Sequence, residues 1–179
     1  MKIAESERTI IRRFSEQDAQ SLLNYLSDPY PACFFDEKLA DFDAAVQEAR
    51  QRSTDATQFA LCLKQTGELI GHLFAMDDEE PDANTVNVGW YLNPQYQGQG
   101  FAQEAVTCLF TYLFRVRNVR RIYAYVADDN ASSQRLCQRL GMRLEGCFKE
   151  HVSFTDHNGI AIYENTLIFA ILQKEWCAS

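Results

Sequence analysis

Gln97-Gly98-Gln99-Gly100-Phe101-Ala102 is the stretch on which the reading of this 179-residue chain turns. Before it, Asn87-Val88-Gly89-Trp90-Tyr91-Leu92 has the composition of a strand, closed by Asn93-Pro94. After it, Glu104-Ala105-Val106 opens a long apolar helical pattern that runs to about Arg117. Strand, glycine loop and helix therefore follow one another. Two glycines remove Cβ atoms from the loop, so a ligand can approach the backbone closely. The first turn of the helix directs unpaired N–H groups and a positive dipole end into the same loop. Such a loop suits an anion, above all a phosphate or pyrophosphate.

Two familiar phosphate loops do not fit. A dinucleotide fingerprint needs a third small residue where Gln103 stands, and a P-loop needs Gly-Lys followed by Ser or Thr, which is absent. The spacing Gln97-x-x-Gly100-x-Ala102 instead resembles the Q/R-x-x-G-x-G/A motif of the GNAT N-acetyltransferases. The longer run to Gln103-Glu104-Ala105 resembles the branch of ribosomal-protein N-terminal (alanine/serine) acetyltransferases. The resemblance extends from about Arg8 to Trp176. It implies acetyl-CoA as co-substrate, with its pyrophosphate on the backbone of Gly98, Gln99, Gly100, Phe101 and Ala102, beside Gln97. It further implies that the pantetheine arm runs along the backbone of Tyr91 and Leu92.

Composition limits the remaining choices. A chain of 179 residues with 46% apolar residues fits one acetyltransferase domain over 1–179, with its core at about 8–176. A net charge of −8 and a pI near 4.9 argue against unspecific nucleic-acid binding. Six cysteines form no C-x-x-C pair, and His72, His151 and His157 have no metal-ligand spacing with them, so no metal is expected. Free thiols suit a reducing compartment. The start at Met1 has no apolar signal core and no run is long enough to span a bilayer, so the expectation is a cytoplasmic protein without a membrane partner, monomer or homodimer.

Outward from the loop, Thr9 to Phe14 reads as a first strand, and Ser15-Glu16-Gln17-Asp18 as a capping-box start to a helix carrying Ala19, Leu22, Leu23 and Leu26. A second helix is expected over 37–52, with Leu39, Phe42, Val46 and Ala49 on one face. The resemblance puts the segment between these helices on the acceptor side, where Tyr30, Phe34 and Phe35 stand. Strands follow at 57–64 and 69–76 around the turn Gln65-Thr66-Gly67-Glu68, then an acidic loop of Asp77, Asp78, Glu79, Glu80 and Asp82. Arg121–Ala127 is a strand with Ile122, Ala124 and Val126 on one side and Tyr123 and Tyr125 on the other. Asn130 caps a short helix that Gly141 closes, and two last strands fit about 142–153 and 160–172, joined at Asn158-Gly159. The order matches the α/β (α+β) GNAT fold: a largely antiparallel central sheet of about seven strands flanked by helices. In that fold the strands ending near Leu92 and Ala127 splay into a coenzyme-binding cleft.

The run Asn130-x-x-Ser133 through Leu140-Gly141-Met142 resembles the family segment N-x-x-S…L-G-F, which implies coenzyme contacts from Asn130 and Ser133. The resemblance makes Ser133 the first candidate proton donor to the leaving thiolate. Cys137, where many members of the superfamily carry a tyrosine acid, is the second candidate, against a reading as a buried small hydrophobe. The branch often carries a glutamate where this chain has Asn87, which cannot take a proton. The base then falls to His72, His151 or Glu164, or to water, and an α-amino group of pKa about 7.7–8.0 needs little help. The expected activity is transfer of an acetyl group from acetyl-CoA to a primary amine. A peptide or protein N-terminus is the first acceptor class, and a small amine such as a polyamine or amine-bearing antibiotic is the second. A coenzyme-A-binding protein with little transferase activity is the reading from another class. The acidic loop motivates a cationic acceptor.

Overall fold

The structure, a computed structural model, describes residues 1–29, 37–78, 84–155 and 160–176. Its strands are β1 (Lys2–Glu5), β2 (Thr9–Arg12), β3 (Gln58–Leu63), β4 (Leu69–Asp77), β5 (Thr85–Leu92), β6 (Arg121–Ala127), β7 (Arg143–Thr155) and β8 (Ala161–Leu172). Its helices are α1 (Ala19–Leu26), α2 (Phe42–Thr54), α3 (Phe101–Arg115) and α4 (Ala131–Arg139). The strands form one sheet in the order β1-β2-β3-β4-β5-β6-β8-β7. Every adjacent pair is antiparallel except β5 and β6, which α3 joins as a crossover.

Residue alternation along the strands divides the interior between the two faces. In β3, Phe59 and Leu61 join Val86, Val88, Val106, Leu109, Phe110, Ile122 and Ala124 under α3. Ala60 and Cys62 turn the other way and pack with Tyr91 under α1 and α2. The two helical layers thus cover opposite faces. On the first of them Leu136, Cys137 and Leu140 anchor α4 in the α3 cluster.

The start of α1 is fixed as the capping-box pattern anticipates. Ser15 donates its backbone N–H to Asp18 at 2.8 Å, and Arg12 grips the same carboxylate with two nitrogens at 2.7 and 2.8 Å. Three expectations change. The sheet has eight strands rather than about seven, because Lys2–Glu5 pairs with β2. This segment is short and carries only Ile3 and Ala4 as apolar positions, too few to alternate visibly. The second helix begins at Phe42 instead of 37, because Asp41 caps it by accepting the Ala44 N–H at 2.8 Å. Its buried face is Ala45, Ala49 and Arg52, while Phe42 is 49% exposed. Leu39 stays outside the helix, its N–H bonded to the Leu26 carbonyl at 2.8 Å. The strand now begun at Thr85 and the helix begun at Phe101 enclose the glycine loop as expected.

Candidate active site

The β5–β6 ladder runs from Thr85↔Arg121 to Asn87↔Tyr123 and stops there, although β5 continues to Leu92 and β6 to Ala127. Beyond that fork the strands diverge around a cleft of about 740 Å³, lined by Val88–Leu92 on one side and Ala124–Ala127 on the other. Gly98, Gly100, Phe101 and Ala102 also line it, together with Asn130, the N-cap of α4, and Ser133, Arg135 and Arg139 from that helix. This is ample for an elongated cofactor-sized ligand.

The glycine loop is exposed and held from both ends. Asn93 caps the single 3₁₀ turn Pro94–Tyr96, and Gln97 Nε2 donates to the Leu92 carbonyl at 3.2 Å, tying the loop to the end of β5. Gly100 is the N-cap of α3 at φ +84°, and Gly98 lies at φ +73°. Both angles are costly for any residue with a Cβ. A Cβ at Gly100 would also stand 3.4 Å from the Arg8 guanidinium. The first-turn N–H groups of α3 have no intrahelical acceptor, the arrangement that suits an anion at a helix N-terminus.

Glu104 is the anchor of that turn. It accepts from Ser6 Oγ and the Arg8 backbone N–H, both at 2.6 Å, and from Arg8 Nε at 2.7 Å. Arg8 in turn donates to the Gln99 carbonyl at 3.2 Å and lies 4.4 Å over the Phe101 ring. Burial would raise the Glu104 pKa, but the bonds from Ser6 and Arg8 outweigh it and hold the carboxyl below its usual value. Its place is therefore structural, as its first-turn position suggests. Nothing in the sequence motif signals the long-range partner Arg8.

Ser133 sits at the cleft wall. Its backbone N–H caps onto Asn130 Oδ1 at 3.0 Å, and its Oγ accepts from Trp90 Nε1 at 3.2 Å. With one lone pair engaged by the indole, the hydroxyl proton is left to donate. The sequence marks Trp90 only as part of a strand, and its hydrogen bond to Ser133 comes from the fold. Cys137 lies one helical turn further on, wholly buried in the α3 cluster and outside the cleft lining. Burial pushes its thiol up to about 12.

On the opposite face, Tyr25, His72 and Tyr91 form a stack, with His72 and Tyr91 centroids 5.4 Å apart and Tyr25 and Tyr91 5.5 Å apart. His72 is 2% exposed; its Nδ1 lies 3.2 Å from Tyr25 Oη and its Nε2 3.5 Å from Glu37 Oε2. The tautomer protonated on Nε2 satisfies both contacts. Burial, and next the charge of Arg52, hold the ring well below its ordinary pKa and therefore neutral. Glu37 lines the cleft, and Arg52 Nη2 grips it at 2.6 Å. Neither residue is singled out in the sequence, where Glu37 and Arg52 only bound the helix expected over 37–52.

Asn87 stands at the fork itself, opposite Tyr123, and its Oδ1 is buried with no hydrogen-bond partner among the described residues. His151 is exposed on β7, stacked obliquely on Phe148 at 5.0 Å. Glu164 on β8 has its pKa raised by burial, then by Asp129 and Asp128. Neither His151 nor Glu164 lines the cleft. Within the acidic loop, Arg117 donates to both Asp77 oxygens, at 2.8 and 3.1 Å, while Glu79, Glu80 and Asp82 fall outside the described residues. So do Tyr30, Phe34, Phe35 and the turn at His157.

Comparison with known proteins agrees with this geometry. Residues 8–143 match the acetyltransferase (GNAT) domain family. The uncharacterized N-acetyltransferase YnaD of Bacillus subtilis is 30% identical over 96% of this chain and 97% of its own. A GNAT-family acetyltransferase structure from Bacillus anthracis superposes with a TM-score of 0.83 at 27% identity, covering 98% of this chain and 100% of that one. Two shorter matches come from Escherichia coli. Ribosomal-protein-serine acetyltransferase is 32% identical over 46% of each chain, and spermidine N(1)-acetyltransferase is 29% identical over 49% of this chain and 44% of its own.

Proposed function

The chain belongs to the GNAT acetyltransferase family, and from that premise we propose that this N-acetyltransferase moves an acetyl group from acetyl-CoA to a primary amine, with a peptide or protein N-terminus as the first acceptor class. The observation that carries the donor half is the exposed glycine loop at the N-terminus of α3, opening onto the gap where the β5–β6 ladder ends. The residues present fit acetyl-CoA: amides at an αL turn for a pyrophosphate, Arg135 and Arg139 for phosphate charge, and a slot between two strands for an extended arm.

Bound acetyl-CoA supplies the activated acetyl thioester. The rest of the chemistry falls to the chain. The backbone of 98–102 holds the anion, and a backbone N–H of β5 supplies the oxyanion contact, a class worth about 3–4 kcal/mol. Trp90 fixes the Ser133 hydroxyl, whose proton passes to the departing sulfur and is replaced by the one that the attacking nitrogen gives up. Cys137, buried and with its pKa raised, takes no part in this reading. Asn87 accepts no proton, so an acceptor with a low pKa, such as an α-amino group near 7.7–8.0, suits the site and proximity supplies much of the rate. One acetyltransferase domain fills the chain in this reading. A cytoplasmic setting is supported by free thiols at Cys62, Cys108, Cys137 and Cys147.

A polyamine acceptor is the second reading, favoured by the net charge of −8 and by the similarity to spermidine N(1)-acetyltransferase. The test of the donor half is ligand-induced stabilisation. Saturating acetyl-CoA at a hundredfold excess over its Kd adds about 2.7 kcal/mol, while NAD and ATP add little. Equal stabilisation by NAD or ATP contradicts the loop assignment.

A further inference from the structure

We infer that Glu37 is the acceptor-binding carboxylate of this enzyme: from the α1/α2 side of the cleft it receives an ammonium group of a cationic acceptor other than the amine that is acetylated. The inference rests on the acetyltransferase reading above and adds to it the charge class of the acceptor and the residue that selects it.

Three observations meet at this side chain. First, Glu37 lines the same cleft as Tyr91, Leu92, Gly98 and Ser133, although it belongs to the α1/α2 side of the sheet. It therefore reaches the gap from the side opposite α3 and α4, which hold the anion site. Second, it is held in place. Arg52 is 5% exposed and fixed between two carboxylates, Glu37 Oε2 and Glu48 Oε1, each at 2.6 Å. A buried guanidinium with two partners fixes carboxylate geometry far better than a surface lysine does. Both Glu37 contacts, to Arg52 and to His72, use Oε2, so Oε1 is unpaired among the described residues. Third, the charges do not cancel. Glu37 and Glu48 face one cation, Arg52, and His72 beside them is neutral. The cluster keeps a net negative charge at a cleft wall, with the side chain of Glu37 33% exposed.

An ammonium group fits that vacancy in charge. It would donate to Oε1 while Oε2 stays with Arg52, and the neutral Tyr25–His72–Tyr91 stack would back the carboxylate without competing for it. From the α3/α4 face the same cleft is lined by Arg135 and Arg139 and by the N-terminus of α3. One cleft thus has a basic pole for the donor and an acidic pole for the acceptor. The two substrates approach from different faces of the sheet, each to a charge of the opposite sign.

The test is binding to protein saturated with coenzyme A, read by titration calorimetry with two probes, spermidine and an Ala-Lys-Ala peptide amide, each with an ammonium group besides the amine to be acetylated. Neither measurement requires turnover. Glu37→Gln should weaken the better-binding probe by about 10- to 100-fold, the usual scale for a lost hydrogen bond to a charged group. Acetyl-CoA affinity, measured separately, should stay unchanged. Removing one charge leaves Arg52 with Glu48 alone, which can destabilise the fold. The double variant Glu37→Gln/Arg52→Met removes both charges and should lose probe binding to the same degree. An unchanged probe Kd in either folded variant overturns the assignment, as does failure of both cationic probes to bind the wild type. Loss of acetyl-CoA binding by the wild type would instead overturn the acetyltransferase reading itself.

Discussion

The two ends of the cleft are built differently. The part proposed for the donor is made of backbone: glycine φ angles, helix N–H groups and strand edges contributed by one continuous stretch from Thr85 to Ala105. The part proposed for the acceptor is made of side chains, Glu37 and Tyr91 at the cleft with Tyr25, Glu48, Arg52 and His72 behind them, gathered from α1, α2, β4, β5 and the segment before α2. A backbone site needs residues of fixed type at fixed spacing, because only glycine tolerates the angles. A side-chain site needs only that folding bring suitable groups together. The first can be written as a motif. The second depends on the whole sheet.

The sharpest way to break the donor half is at Ser133. Ser133→Ala should lower kcat by about 10²- to 10⁴-fold, the range of a general acid, with acetyl-CoA affinity unchanged. Trp90→Phe, which keeps the ring and removes the hydrogen bond, should cost about 2- to 10-fold in kcat, as a neutral hydrogen bond does. Cys137→Ala should leave kcat alone and lower stability by about 1 kcal/mol through lost packing. Steady-state kinetics with chemical denaturation separates these outcomes. If Cys137→Ala abolishes turnover while Ser133→Ala does not, the proton donor has been misplaced.

Next in size is Gly100→Val. Losing two amide contacts to a charged phosphate costs about 3 kcal/mol or more, roughly 100-fold in acetyl-CoA affinity. The strained φ should take a further ~1–2 kcal/mol from the fold, so the thermal shift is best read on the folded mutant below its own Tm. A variant that binds acetyl-CoA like the wild type would reduce the loop to an ordinary turn.

These two experiments also mark what could be read before the fold was known. The glycine loop, the Asn130 cap and the alternation of β6 followed from local rules, and Gly98, Gly100, Asn130 and Ala124–Ala127 line one cleft. The parting of β5 from β6 was expected from resemblance, and the ladder ending at Asn87↔Tyr123 displays it. Other features were not legible. The strand at Lys2–Glu5 is too short for a periodic signal, and α2 was started too early because Leu39 mimics a helical position while packing under α1. Glu37 and Arg52 stand at the two ends of the helix expected over 37–52 and look there like ordinary surface charges. Their meaning comes from burial against His72, which sits 35 residues from Glu37 in sequence and whose partners no local pattern specifies.

A smaller effect concerns acid stability of the acceptor end. His72 is held below its unfolded pKa of about 6.5, so the unfolded chain binds this proton more readily than the native one. The neutral ring's contribution is fully present above about pH 6.5 and is lost as pH falls from there toward the depressed native value. Between pH 6.5 and 5 the slope should reach up to about 1.4 kcal/mol per pH unit from this group. His72→Gln should flatten that part of the urea-midpoint profile. An unchanged slope would move the acid sensitivity elsewhere.

The smallest expected effect is at the acidic loop. Asp77 is already paired with Arg117 on the surface, so Asp77→Asn should change stability by less than about 1 kcal/mol. The acceptor KM should also respond to Asp77→Asn far less than to Glu37→Gln. A larger effect on KM from the loop would shift the acceptor's electrostatic recognition from Glu37 to Asp77 and its neighbours.

The two ends meet in a single reaction, and product analysis tests that reaction directly. Purified protein is incubated with acetyl-CoA and a panel of N-terminal peptides, spermidine and uncharged amines, with coenzyme A release followed and products identified by mass spectrometry. One acetyl group should appear on a primary amine of a cationic acceptor for each coenzyme A released, and Gly100→Val should suppress both. Coenzyme A release without any acetylated amine, or acetylation that proceeds equally well with Gly100→Val, would contradict a cleft that joins a backbone donor site to an amine acceptor.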